Sequence, residues 1–135
     1  MKTLIVEDDF TSRLLLQELL RSYGPSHVAV NGEEAIAAVR AALELNEPYD
    51  LVCLDIMMPE MDGHQALREI KALEEQYGQS TARGTKVIMT TALGGRNVFE
   101  AFREQCDAYL IKPIEKSKLI GSLHKLDLID DAGKA

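Results

Sequence analysis

A lone carboxylate, Asp55, closes the apolar run Leu51-Val52-Cys53-Leu54. An Asp at such a point often does no more than start a turn, but three other runs in the chain end in polar groups of matching chemistry. Thr3-Leu4-Ile5-Val6 leads into Glu7-Asp8-Asp9, the run from Lys86 ends in Thr90-Thr91-Ala92, and Ala108-Tyr109-Leu110-Ile111 leads into Lys112-Pro113. Singly, these read as a solvated charge run, strand or capping residues and a surface lysine. Gathered in one crevice, the carboxylates repel one another and must bind a cation or hold a proton. Hard oxygen ligands without a His or Cys cluster suit Mg2+, with Mn2+ as the second choice. Calcium fits less well, because no Asp-x-Asp-x-Asp-Gly loop occurs. Beside a divalent ion, Asp55 becomes a carboxylate nucleophile able to form an aspartyl phosphate. Lys112 then offers a point charge and Thr91 a hydroxyl to the phosphoryl oxygens.

The elements that must position these groups alternate. Short apolar, β-branched runs (Thr3 to Val6, His27 to Val30, Leu51 to Leu54, Lys86 to Thr90, Ala108 to Ile111) are separated by segments of helical period. That pattern predicts an α/β domain whose parallel sheet is covered on both faces. The first helix, about Thr11 to Tyr23, is expected to bury Leu15, Leu16, Leu19, Leu20 and Tyr23 and to stop at Gly24-Pro25. The second opens at Asn31 as N-cap with Glu33 and Glu34 in its first turn, and Pro48 marks its end. A third follows Asp62-Gly63, a fourth follows Gly94-Gly95 with Val98, Phe99, Phe102 and Cys106 on one face, and a fifth carries Leu119, Ile120, Leu123 and Leu126. Open parallel sheets bind ligands at the carboxyl ends of their strands, where strand order reverses, which is where all four polar sets fall.

The 135 residues suit one domain, residues 1–129, with a short C-terminal tail, 130–135. A formal charge of -7 argues against direct nucleic-acid binding. No apolar run is long enough to span a bilayer or to act as a signal peptide, so the expected location is cytoplasmic, away from membranes. Cys53 and Cys106 read as two unpaired, buried thiols without chemistry.

Val6-Glu7-Asp8-Asp9, Asp55-Ile56-Met57-Met58-Pro59-Glu60-Met61-Asp62-Gly63, Thr91-Ala92 and Tyr109-Leu110-Ile111-Lys112-Pro113 resemble the receiver domain of two-component response regulators, in the same order and over nearly the whole chain. The Asp, Met-Pro, Asp-Gly run is the specific part of the match. The resemblance implies a flavodoxin-like (βα)5 doubly wound sheet with strand order 2-1-3-4-5, like that of single-domain chemotaxis receivers. It makes Asp55 the phosphoacceptor, and Glu7, Asp8, Asp55 and the Met57 carbonyl the metal ligands. Glu7 stands where Asp is the alternative. Thr91, with Ala92 after it, corresponds to the switch hydroxyl, Lys112 to the cation beside it and Tyr109 to the aromatic readout. The bond before Pro113 is expected to be cis, and Asp9 is left to cap the first helix.

The implied donor is a histidine kinase or histidine phosphotransfer domain. Phosphorylation of Asp55 would repack the surface of the fourth helix, fifth strand and fifth helix, through which a homodimer can also form. The downstream target stays unknown. Phe10 and Leu14 are candidates for a kinase-docking patch. Met57 and Leu93, apolar at the positions two beyond Asp55 and Thr91, favour a long-lived phosphoryl group. A haloacid dehalogenase-type phosphatase is disfavoured, because Met57 stands where that chemistry needs a second Asp, so the chain is not expected to be an enzyme acting on outside substrates. The other alternative is a receiver-like interaction module that works without phosphorylation. A flavin-binding protein is disfavoured by the lack of Trp and of a hydroxyl-rich loop after the first strand. The Met1 start and short tail favour a stand-alone receiver over one cut from a longer regulator.

Overall fold

The computed structural model describes residues 1–58, 60–78, 84–92 and 106–130. Strands β1 (Thr3–Val6), β2 (Ser26–Ala29), β3 (Leu51–Asp55), β4 (Lys86–Thr91) and β5 (Ala108–Ile111) form one parallel sheet in the order β2-β1-β3-β4-β5. Parallel neighbours need crossovers, and helices supply them. These are α1 (Phe10–Leu20), α2 (Gly32–Glu44) and α3 (Gly63–Gln76), with a C-terminal helix (Lys116–Lys125) after β5. Among the described residues no helix is long and apolar enough to cross a membrane.

Both central strands, β1 and β3, are buried along their whole length, which is why they read as continuous apolar runs. Their side chains still alternate. Leu4, Val6, Val52, Leu54, Val87 and Met89 pack with Ala35, Val39, Leu67 and Ile70 of α2 and α3. Ile5, Leu51, Cys53, Ile88 and Leu110 face the other way, against Leu16 and Leu20 of α1 and Leu119 and Leu123 of the C-terminal helix. Each Val, Leu, Ile or Met among them contributes about 1.5–3 kcal/mol by leaving water.

Helix starts follow local chemistry. The side chains of Asp9, Asn31 and Asp62 accept from the amides of Ser12, Glu34 and Gln65 at 2.8, 2.8 and 2.9 Å, satisfying donors that a helix leaves open at its first turn. Asp9 thus caps the first helix, as its place outside the acid pair implied.

Some boundaries differ from expectation. β2 begins at Ser26, one residue before the predicted His27, because the Thr3 amide donates to the Pro25 carbonyl at 3.0 Å and sets the pairing from that point. Helix α1 starts at Phe10 and ends at Leu20, tightening into a 3₁₀ turn over Arg21–Tyr23. Leu15 is 38% exposed and does not share the buried face of Leu16 and Leu20; it sits one residue, or about 100°, round the helix from Leu16. Cys53 is buried as expected, whereas Cys106 is only half-buried. The predicted fourth helix with Leu93 and Gly94-Gly95, together with Pro59 and the tail beyond Asp130, lies outside the described residues.

Candidate functional site

Strand order reverses between β1 and β3, and three acids meet at their carboxyl ends. Glu7 follows β1, is fully buried, and is fixed from both sides: its amide donates to the Ala29 carbonyl at 3.0 Å, and its own carbonyl accepts from Arg13 Nη1 at 3.1 Å. Asp8, the next residue, is exposed. Asp55 ends β3 and is 3% exposed. One carboxylate oxygen from each of Glu7, Asp8 and Asp55 lies within 4.8 Å of the others. Asp9 does not join them, because its carboxylate is engaged at the start of α1.

The loop after Asp55 turns sharply. The Met57 amide donates to Asp55 Oδ1 at 3.1 Å, the Ile56 amide to the Thr90 carbonyl at 2.9 Å, and the Gly63 amide to the Ile56 carbonyl at 3.0 Å. This return brings Gly63 against the strand it came from. A Cβ on Gly63 would lie 2.6 Å from the Asp55 carbonyl oxygen and 2.8 Å from Ile56 Cα, so only glycine fits there.

Lys112 and Thr91 close the other side. Thr91 ends β4, fully buried, and its carbonyl accepts from the Lys112 amide at 2.7 Å. The Lys112 ammonium contacts Glu7 Oε1 and lies 3.3 Å from Asp55 Oδ2. The Lys112–Pro113 peptide bond is cis, as expected. Ala92 is exposed just past Thr91, and Tyr109 stands in β5 in register with Met89, 39% exposed. Met57 is also exposed.

Burial, then the hydrogen bond and like charge of Glu7, push the Asp55 carboxyl up to about 7, against the pull of Lys112 and of the Met57 amide. Burial alone would lower the Lys112 ammonium, but the hydrogen bond to Glu7 and the charges of Asp55 and Glu7 outweigh it and hold it above its ordinary value. Such a cluster is short of positive charge. Glu7 Oε1 is buried without a hydrogen bond of regular geometry and contacts the Lys112 ammonium. Three convergent oxygens with no sulfur or imidazole among them are the donor set that a hard divalent cation takes.

Sequence reasoning found every member of this cluster but missed Arg13. Its guanidinium ties the Glu7 carbonyl to α1 and lies 5.4 Å from the Phe10 ring centre. A lone Arg in the first turns of a helix carries no signal of that contact.

Residues 3–124 match the response regulator receiver domain, and the chain belongs to that family. It is a receiver domain of the two-component and phosphorelay kind. Among similar proteins is the transcriptional regulatory protein ZraR of Salmonella typhimurium, 36% identical over 123 residues that make up 90% of this chain but only 25% of ZraR. The chemotaxis protein CheY of Bacillus subtilis is 29% identical over 130 residues, covering 92% of this chain and 95% of CheY. The receiver domain of the histidine kinase CKI1 from Arabidopsis thaliana, solved with Mg2+ and BeF3-, superposes with a TM-score of 0.79 at 27% identity, over 93% of this chain and 89% of that one.

Proposed function

We propose that Asp55 accepts a phosphoryl group from a phosphohistidine on a partner histidine kinase or phosphotransfer domain. The phosphorus–nitrogen bond of the donor breaks, a bond to an Asp55 carboxylate oxygen forms, and the imidazole leaves. One observation carries this reading: the nucleophile, two further carboxylates and a lysine ammonium meet where the strand order reverses. Glu7, Asp8, Asp55 and the Met57 carbonyl would hold Mg2+ there, which offsets charge on the acceptor and the incoming group. That a related receiver was solved with Mg2+ and BeF3- supports the assignment.

The chain's own residues do the rest. Burial and the Met57 amide hold the Asp55 carboxylate in place, Lys112 offers its ammonium to a phosphoryl oxygen, and the Thr91 hydroxyl offers a hydrogen bond. Drawing Thr91 toward the new dianion would let Tyr109 turn and change the surface around β5. Met57, in the place of a general acid, gives attacking water no help, so the phosphoryl group is retained and the domain signals without acting as a phosphatase. Phe10 and Leu14, 63% and 45% exposed and one turn apart on α1, suit a helical partner. Incubation with acetyl phosphate and Mg2+ tests the reading by intact mass. The wild-type chain gains one phosphoryl group and Asp55→Asn gains none; an unchanged wild-type mass overturns it.

A further inference from the structure

Asp8 is the exposed member of the acid cluster, whereas Glu7 and Asp55 are buried. Burial cannot hold its carboxylate in place, so the backbone must. That backbone is tied on both sides of Asp8. The Glu7 carbonyl, in the peptide that leads into Asp8, accepts from Arg13 Nη1 at 3.1 Å. The Asp9 amide, in the peptide that leaves Asp8, donates to Glu7 Oε2 at 3.4 Å. Arg13 also reaches this segment through its own amide, which donates to the Asp9 carbonyl at 2.9 Å. A peptide unit is planar, so fixing the Glu7 carbonyl also fixes the Asp8 amide and with it the direction in which the Asp8 side chain leaves the backbone. The guanidinium is itself backed by the Phe10 ring, whose centre lies 5.4 Å away, within the range of a cation–π contact.

We propose that Arg13 is a positioning residue for the acid cluster: its guanidinium sets the plane of the Glu7–Asp8 peptide and, through it, the place of the Asp8 carboxylate. Charge and hydrogen bond act in opposite directions here. A positive charge near three acids disfavours a bound cation, while the bond to the Glu7 carbonyl holds one of the cation's ligands in place. The second effect dominates, because solvent screens the charge of a part-exposed guanidinium but does not replace a support that orients a ligand. The helix that follows β1 therefore serves the cluster through one side chain that reaches back across its first turn.

This inference rests on the reading of Glu7, Asp8 and Asp55 as a divalent-cation site, and the sign of one effect separates the two. Mg2+ affinity is measured by titration calorimetry, without phosphodonor, for the wild type, Arg13→Met, Asp8→Ala and the double variant. Loss of charge alone would tighten Mg2+ binding in Arg13→Met, whereas loss of positioning is expected to weaken it about tenfold, the low end of what partners behind a metal ligand contribute. A positioning role also needs Asp8 as its object. In the Asp8→Ala background Arg13→Met should bring no further weakening, while a general structural defect would weaken binding in both backgrounds. Amide spectra add a second readout: in Arg13→Met the Asp8 amide, which shares a peptide with the Glu7 carbonyl, should shift while the signals of β3 and β4 stay in place. If Arg13→Met does not fold, Arg13→Gln replaces it, since its amide is too short to span the same distance. Unchanged or tighter Mg2+ binding on losing Arg13, equal weakening with and without Asp8, or an unmoved Asp8 amide overturns the proposal and leaves the cation site standing. If the wild type binds no Mg2+, the cation-site reading itself fails.

Discussion

The Lys112 amide donates to the Thr91 carbonyl at 2.7 Å, so the two side chains assigned to meet a phosphoryl group are fixed to each other through the backbone of β4 and the end of β5. That bond does not depend on either side chain. Lys112→Ala should therefore leave the sheet intact while removing the cation between Glu7 and Asp55. The expected loss is about 2 kcal/mol of stability at pH 8, below the 3–5 kcal/mol typical of a broken buried pair, because Asp55 can take up a proton instead. Urea denaturation checks this. The same variant should still accept phosphate from acetyl phosphate but lose the conformational response, seen as unchanged amide shifts around Thr91 and Tyr109 after phosphorylation.

The raised Asp55 carboxyl sets a pH dependence. Its ordinary value is 3.8 and its folded value is about 7, so between those limits the folded state keeps a proton that the unfolded chain has given up. The contribution is fully present below about pH 4 and disappears as pH rises through 7. Metal-free wild type should thus lose stability over that window relative to Asp55→Asn, which lacks the titration. Saturating Mg2+ at pH 8 should restore it, since the cation favours the ionised carboxylates. Denaturation midpoints at several pH values, with and without Mg2+, decide the matter.

Adjacent acids should separate cleanly. Asp8 belongs to the cluster, whereas Asp9 accepts from the Ser12 amide at 2.8 Å. Asp8→Ala is expected to weaken Mg2+ binding with little change in the unfolding midpoint. Asp9→Ala should lower the midpoint and leave cation affinity nearly unchanged. Calorimetry and thermal unfolding on the two variants give the comparison directly.

How much of this was legible beforehand varies with the kind of physics involved. Periodicity located the five strands, because β1 and β3 are buried on both faces and must be apolar throughout. Strand order came from resemblance alone, since nothing in an isolated run says which neighbour it pairs with. Asn31 was readable as a cap because capping is local, whereas Asp9 was assigned as one only through the resemblance, which left it outside the acid pair. The one-residue shift of β2 and the exposure of Leu15 depend on tertiary contacts, and the sequence pattern does not carry them. Asp55, Glu7, Asp8 and Lys112 could be grouped because each follows a strand; the contact of Lys112 with Glu7 as well as Asp55 could not, since it depends on side-chain reach across the cleft.

Gly63 offers a sharper test of the loop that carries Asp55. Gly63→Ala places a methyl group against fixed backbone atoms at 2.6 and 2.8 Å, and backbone cannot yield as a flexible side chain would. A destabilisation of about 1–3 kcal/mol is expected, with weaker Mg2+ binding because the strain is relieved by moving Asp55. Urea denaturation and calorimetry on the same preparation check both.

Cys53 lies two residues before Asp55, fully enclosed on the α1 side of the sheet, and burial pushes its thiol up to about 12. A thiolate is scarcely available there, so an alkylating reagent can reach this sulfur only when the sheet itself separates. The chain therefore carries a native chronometer of sheet opening: the labelling rate of Cys53, followed by mass spectrometry as ligand conditions change, reads how firmly the strand beneath the acceptor is held.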